Sequence, residues 1–555
     1  MNLRAKSVAS DCATQRSEKS RRRMTSAMGS TKLKLVVGLG LVMLMAVCVA
    51  AQEKSSASLD PSEMPKLGMV DERFVSYNVE MVEVTGGRFW KPYRSNLAGH
   101  GAAKSDTTPD ANQQVGENAG LFQYRRAIDL SNPRLRRLAE ALGPAYVRVS
   151  GSWANSTYFQ NDDLPALNEP PNGFRGVLTR LEWKGVIDFA HAVDAKIVTS
   201  VAISPGARDA SGVWTPDQAK ALFDYTKRVG GTIAATEFMN EPTFPGPGGA
   251  PKGYNAAAFA RDEKVFGPFL RSELPSTIFL GPGSIGEGTS LMPGVSMKVT
   301  PDTEHMMRAT GPVFDAFSYH FYPSVSSRCG GKTTVAQALT TDWLDRTVVS
   351  EAFYAAARDK YLPGKSIWLT ETAEAACGGD QFAGQFVDTF RYLNQLGVLA
   401  QKGVQTVMHN TLASSDYGLL KEETYEPRPD YWAALLWKRT MGTVVLDPGV
   451  AAGPSLRVYA QCMKGHKGGV TLLAMNTDAN EEHKLTIALH ADRYTLTAPD
   501  LTSSTVLLNG IALQAGQDGT LPKMKGQRVK PGTIELAPVS ITFLAMPYAR
   551  NAGCM

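Results

Sequence analysis

Between residues 72 and 440 the sequence alternates short apolar runs with amphipathic stretches, and this alternation restricts the fold more than any other feature. The apolar runs cover 74–82, 146–153, 196–203, 232–238, 278–284, 314–322, 367–370 and 404–412. Their length and near-continuous apolarity suit strands buried on both faces. Between them, stretches such as 180–193, 216–229, 256–274, 341–361 and 381–400 carry apolar residues at spacings of three and four, the period of a helix with one buried face. Eight such alternations predict an α/β fold, a (β/α)8 TIM barrel spanning 71–440, in which parallel strands close into a cylinder sheathed by helices.

In that architecture chemistry belongs at the C-terminal ends of the strands. The fourth run stops at Asn240-Glu241-Pro242, and the seventh delivers Glu371 within Trp368-Leu-Thr-Glu371-Thr. Two carboxylates at two strand ends suit cleavage of a glycosidic bond, where one protonates the leaving oxygen and the other attacks or activates water. Glu237 shares a side of the strand with Glu241 by even spacing. It falls short of the strand end and reads as a buried structural carboxylate, and Glu374 ranks behind Glu371. Asn240 is suited to hydrogen-bond a sugar 2-hydroxyl. Tyr322, ending the sixth run, is placed to donate to Glu371, and His320 faces the same way, where a satisfied core histidine is an equal reading. Glu80 and Ser152 are polar residues at the ends of the first two strands. The eight histidines form no His-Glu-x-x-His pattern, and there is no Gly-x-x-x-x-Gly-Lys loop, so neither a metal nor a nucleotide cofactor is expected.

After residue 440 the texture changes. Runs at 456–463, 469–475, 485–489, 493–497 and 534–546 alternate apolar and polar residues between turn formers, predicting a C-terminal β-sandwich over 441–555. No low-complexity linker intervenes, so the two parts are expected to pack firmly. Residues 52–70 read as a polar N-terminal tail. Residues 1–51 read as a signal peptide: basic residues through Lys34, an apolar run over 35–51, and a Val49-Ala50-Ala51 ending. That implies a secreted or periplasmic protein, with an uncleaved signal anchor as the alternative and the sole expected membrane contact.

Nine of the 58 Lys and Arg and two of the 53 Asp and Glu lie in residues 1–51, leaving 49 against 51. A formal charge of −2 gives no reason to expect a nucleic-acid partner. Four cysteines remain, Cys329, Cys377, Cys462 and Cys554, an even number that agrees with an oxidising compartment. Cys462 and Cys554 share the C-terminal part and are the first pair to join. Cys329 and Cys377 each precede a Gly-Gly after a barrel strand, which leaves a second bridge beside the site open.

Asn240-Glu241-Pro242, Trp368-Leu-Thr-Glu371-Thr, Tyr319-His-Phe-Tyr322, Ser415-Asp-Tyr417-Gly-Leu-Leu and Arg428-Pro-Asp-Tyr-Trp432, in this order, resemble the heparanase-like β-glucuronidase family of retaining glycoside hydrolases. The resemblance covers nearly all the chain after residue 51 and includes Arg550-Asn-Ala-Gly-Cys554, matching the family's disulfide to Cys462. It implies Glu241 as acid/base, with a pKa raised by a neighbouring carboxylate, and Glu371 as nucleophile. It implies sugar contacts from Glu80, Ser152, Asn240 and Tyr322. A turn at Gly378 together with Tyr417 would receive the C6 carboxylate of a glucuronic acid-containing carbohydrate. Cys377 departs from the family, since heparanase has glycine there. The implied function is an exo-acting, secreted, retaining β-glucuronidase. The alternatives are an endo-β-glucuronidase acting on heparan-like chains and, from another class, a non-catalytic carbohydrate-binding protein.

Overall fold

The computed structural model describes residues 57–93, 119–246, 248–289, 299–450 and 453–555. The expected signal peptide lies outside the described residues, and among those described no helix is long and apolar enough to cross a membrane.

Eight parallel strands close into a barrel in chain order. They are β1 (Val75–Asn78), β2 (Ala145–Val149), β3 (Ala195–Thr199), β4 (Ile233–Glu237), β5 (Ile278–Ser284), β6 (Ala316–Phe321), β7 (Ser366–Thr372) and β8 (Thr406–His409), the last pairing with the first. Each coincides with one of the eight apolar runs. The helices following them in turn are α1 (Pro133–Glu140), α2 (Arg180–Ala192), α3 (Asp217–Arg228), α4 (Ala256–Glu273), α5 (Thr303–Thr310), α6 (Thr341–Tyr361), α7 (Phe386–Gln401) and α8 (Pro429–Thr440). Local chemistry starts several of them. Asn132 caps α1 with Pro133 in its first turn, Thr179 and Glu182 form a capping box on α2, and Asn255 caps α4.

Alternate residues of a strand face the same side, so the barrel interior is built in layers. Tyr146, Val198, Ala235, Leu280, Ala316, Trp368 and Met408 form one apolar cluster inside it. Two residues further along their strands stand Arg148, Glu237, Ser318 and Thr370, all fully buried. The cylinder thus turns from apolar to charged as it approaches the mouth. A β-bulge breaks the parity of β7: its pairing with β6 skips from Tyr319–Leu369 to His320–Glu371. The extra residue turns Glu371 as well as Thr370 toward the interior.

Gly87–Trp90 pairs with Phe122–Arg125 and Thr157–Gln160 with Gly176–Thr179 in two small sheets, and the remaining strands build a two-sheet domain. The larger sheet runs Lys66–Met69, Met441–Leu446, Leu456–Met463, Val470–Asn476, Ser540–Met546, Ala491–Thr497, Leu507–Leu508, Ile511–Ala512, with Gln527–Val529 also paired to Ala491–Thr497. The smaller one contains Ala57–Leu59, His483–Ile487 and Gly532–Leu536. Leu59, Leu446, Leu472, Leu485, Ile534 and Leu544 belong to one core that both sheets share.

Two expectations are corrected here. Residues 57–69 are not a polar tail but two strands, anchored by the buried Leu59 and Met64 and by Asn551, whose Nδ2 donates to the carbonyls of Pro61 and Met64 at 2.8 Å. Too few apolar residues fall in strands this short for a pattern to emerge. The run 534–546 is two strands in different sheets, parted at Val539, which has φ +42°.

The two-sheet domain packs on the barrel through the almost wholly buried α7. Phe386 and Val387 N–H donate to the carbonyls of Ser503 and Leu501, and the Tyr459 hydroxyl donates to Asn394 Oδ1 at 2.7 Å. Cys462 and Cys554 form a disulfide, Cα atoms 5.3 Å apart, that pins the terminal turn to a central strand of the larger sheet.

Candidate active site

Glu371 leaves β7 pointing into the mouth, 5% exposed. The Tyr322 hydroxyl donates to its Oε1 at 2.8 Å, and Arg148 Nη1 donates to its Oε2 at 2.8 Å. Both oxygens thus accept from strong donors, one of them charged, and the carboxyl group is fixed in place. Glu241 follows β4 across Phe238, Met239 and Asn240, with φ +50°, and its side chain stays 16% exposed. One oxygen of Glu241, one oxygen of Glu371 and a ring nitrogen of His320 lie within 4.8 Å of one another.

The hydrogen-bond chain fixes a tautomer. Arg148 Nη2 lies 3.2 Å from His320 Nε2, and a guanidinium can only donate. Nε2 therefore accepts, Nδ1 carries the proton, and Nδ1–H donates to Glu241 Oε1 at 3.0 Å. Burial, chiefly, pushes the His320 pKa down to about 4, so the ring stays neutral at physiological pH. With Oε1 occupied as an acceptor, the Glu241 proton is left to Oε2. The pKa of Glu241 is pushed up to about 7, first by burial, against the pull of Arg148 and with a push from Glu237. The expectation that a neighbouring carboxylate would be the main cause is thus corrected: desolvation dominates, and the carboxylate that contributes is Glu237.

Glu237 takes the structural place expected of it. It accepts from Arg148 Nε and Nη2 at 3.1 and 2.9 Å and from the Thr370 hydroxyl at 2.8 Å. Arg148, missed in the sequence, is the hub of the site and joins Glu237, Glu371, Asn240 and His320. A lone arginine inside an apolar run was the available signal, because a buried guanidinium requires partners. Asn155 was missed too. Its amide brackets the backbone of Asn240, accepting from the N–H at 2.8 Å and donating to the carbonyl at 2.9 Å. Arg148 Nη2 donates to Asn240 Oδ1 at 2.7 Å, so the oxygen end of that amide faces the guanidinium and the NH2 end faces Ser152 Oγ, 3.3 Å away.

The other expected residues join the same network. Glu80 caps the short helix Met81–Thr85 and is buried beside Gly151, where φ is +86° and a Cβ would fall on the Glu80 carboxylate. Burial, then Glu371, hold the Glu80 carboxyl well above the ordinary range. Asn410 Nδ2 donates to the hydroxyls of both Tyr322 and Tyr417 at 3.1 Å, a third residue absent from the sequence reading. Gly378 lies in a turn where Cys377, Gly378 and Gly379 have φ of +65°, +80° and +83°. A Cβ on Gly378 would come within 2.5 Å of Trp90, and its carbonyl accepts from Asp416 N–H, beside Tyr417. Cys377 forms a disulfide with Cys329.

Glu241, His320 and Glu371 also have the mutual spacing of three metal ligands. Both ring nitrogens of His320 are already engaged, however, and the Arg148 guanidinium rests on Glu371, so a cation there would meet a fixed positive charge.

No family model matches the chain. Heparanase-like protein 1 of Arabidopsis thaliana is 25% identical over 590 aligned positions, covering 95% of this chain and 100% of that one. Baicalin-β-D-glucuronidase of Scutellaria baicalensis is 28% identical over 354 positions, covering 61% and 63%. Among solved structures, a 4-O-α-L-rhamnosyl-β-D-glucuronidase from Fusarium oxysporum 12S superposes with a TM-score of 0.59 at 13% identity, over 88% of this chain and all of that one. The likeness in fold is that of a glycoside hydrolase barrel with an added sheet domain, and the relatives in sequence are heparanase-like proteins and a β-glucuronidase.

Proposed function

We propose that this protein, similar along almost its whole length to a heparanase-like protein, is a retaining β-glucuronidase that removes terminal glucuronic acid from glycans or glycoconjugates. The observation that carries the reading is the pair of carboxyl groups with opposite preparation. Glu371 accepts from the Arg148 guanidinium and the Tyr322 hydroxyl, while Glu241, with an oxygen within 4.8 Å of it, has its pKa pushed up to about 7. That separation suits double displacement, in which the carboxyl groups stand about 5 Å apart and leave no room for a water between them.

In the first step Glu371 attacks the anomeric carbon as Glu241 gives its proton to the leaving oxygen, forming a covalent glycosyl-enzyme. In the second, Glu241, now ionised, takes a proton from water, which displaces Glu371 and restores both groups. Neutral His320 donating to Glu241 suits both stages, since it accepts either state of the acid without adding charge. Asn240, Ser152 and Glu80 would meet the sugar hydroxyls. The backbone N–H of Gly378 and the Tyr417 hydroxyl would receive the C6 carboxylate. The two disulfides suit an oxidising compartment, in keeping with secretion directed by residues 1–51.

Endo cleavage is the second reading, favoured by the heparanase-like names of the relatives. A cleft for a sulfated chain calls for basic residues, and the near-neutral balance of the chain after residue 51 speaks for the exo reading. Incubation with an aryl β-glucuronide beside an oligosaccharide with internal glucuronate decides between them. Release of aglycone and of terminal glucuronic acid alone is expected, and internal scission would overturn exo action. Tyr417→Phe should narrow the preference for the glucuronide over the matching glucoside by about tenfold to a hundredfold in kcat/KM.

A further inference from the structure

The loops that follow β6, β7 and β8 are tied to one another pairwise at the barrel mouth. Between the first two, Ala376 N–H donates to Ser324 O at 2.9 Å, Ser326 N–H to Ala376 O at 3.0 Å, and Ser327 Oγ to Asp380 Oδ1 at 2.9 Å. The Cys329–Cys377 disulfide, with Cα atoms 6.5 Å apart, adds a covalent tie. Between the second and third, Asp416 N–H donates to Gly378 O at 3.2 Å. The third is returned to the first by Arg328, which donates to the Asp416 carboxylate while its guanidinium lies 4.1 Å from the centroid of the Tyr93 ring.

This closed ring encircles the turn at Cys377, Gly378 and Gly379. Cysteine is the wrong residue for a left-handed backbone, which L side chains adopt rarely and glycine freely. It stands at φ +65° with its sulfur bonded across to the neighbouring loop. The next two residues carry the turn past Trp90 and up to Tyr417: a Cβ on Gly379 would lie 3.1 Å from that of Tyr417. The bridge is therefore placed to fix the distance between the Gly378 N–H and the Tyr417 hydroxyl.

We propose that the Cys329–Cys377 bridge is a positioning element for specificity: it holds the turn and Tyr417 in the register that receives a sugar carboxylate. The proposal rests on the reading of Gly378 and Tyr417 as the carboxylate subsite. The bridge contacts neither Glu241 nor Glu371, so its loss weakens binding of the acidic sugar and leaves the bond-breaking groups as they are.

Two double variants test it on a matched aryl β-glucuronide and β-glucoside. Cys329→Ser with Cys377→Ser removes the bridge and leaves a left-handed residue untethered. Cys329→Ser with Cys377→Gly removes it but allows that backbone freely. In the first, KM for the glucuronide rises about tenfold with kcat within about twofold, and the glucoside parameters stay put. The second shows the same pattern with a smaller rise, and it decides the matter by the same criterion should the first fail to fold. An unchanged glucuronide KM, or equal shifts for both substrates, overturns the role of the bridge while a discriminating wild type leaves the carboxylate subsite standing. A wild type that does not prefer the glucuronide overturns the subsite itself, and the proposal with it.

Discussion

The barrel buries a cation near each end, and the two are treated in opposite ways. Arg148, near the mouth, is 1% exposed and donates to Glu237, Glu371 and Asn240. Burial alone would loosen its proton, but Glu237, then Glu371 and Glu80, outweigh that and raise its pKa. Lys438, on α8, lies beneath the barrel and is 6% exposed. It lines a cavity of about 450 Å³ with Val70, Trp437, Met441 and Thr443, and its amine donates to the Pro144 carbonyl. Burial pulls its pKa down to about 7, helped by Lys464 and Arg73 and opposed by Asp71 and Glu72. What burial does to a charge is thus decided by what faces it. At the mouth opposite charges hold one another ionised for chemistry, whereas the floor leaves an amine poised to lose its proton.

Four changes break or sharpen this contrast. Glu371→Gln removes the proposed nucleophile, so turnover should fall on the order of 10⁴-fold or more while the thermal midpoint stays within a few degrees. Retained turnover of an aryl glucuronide would remove Glu371 from its role. Arg148→Met removes the partner of two buried carboxylates and should cost about 3–5 kcal/mol of stability along with activity. Denaturant unfolding that left stability unchanged would show that Glu237 does not depend on the pairing.

Lys438→Met works in the other direction, with a gain near pH 7 of up to about 4 kcal/mol and unchanged turnover. The sign follows from proton binding. Lys438 in the fold titrates at about 7 and in the unfolded chain at about 10.4. Across that window the unfolded chain holds more protons, so wild-type stability climbs as pH rises and the variant's advantage fades toward pH 10. A destabilised variant, or an unchanged pH slope, would contradict an amine held by a carbonyl and not by a carboxylate. The smallest effect is the pH dependence of activity. In the proposed mechanism Glu241 must carry a proton, and it titrates at about 7, so kcat/KM should fall about tenfold per pH unit above that point. Glu241→Gln, assayed on a substrate with a good leaving group, should lack the falling limb.

The residues at the strand ends were legible in the sequence because a barrel strand is short, apolar and interrupted where it stops. Glu241 and Glu371 stand at such interruptions. The hub was not legible. Arg148 lies inside an apolar run, and its partners Glu237 and Glu371 arrive from β4 and β7, strands that no local pattern links to β2. Parity also misleads in β7, where even spacing from Trp368 selects Thr370 and only the bulge brings Glu371 inward. Asn155 and Asn410 act through one backbone and two hydroxyls, contacts that no spacing foretells. The strands at 57–69 were missed because their apolar content is a single residue or two, and their pairing partners lie at the opposite end of the chain.

That last pairing bears on the order in which the molecule can be assembled. Ala57–Leu59 lies parallel to His483–Ile487, and Lys66–Met69 lies antiparallel to Met441–Leu446. During synthesis the first of each pair emerges before the barrel exists and must wait, edges unpaired, until nearly the whole polypeptide has been made. The barrel can close once β8 reaches β1, so the catalytic half is free to form before the sheets that lock both ends of the chain together. Ribosome-stalled chains from which residues up to about 440 have emerged would then hold a closed barrel beside unpaired early strands, the stage at which a chaperone has most to protect.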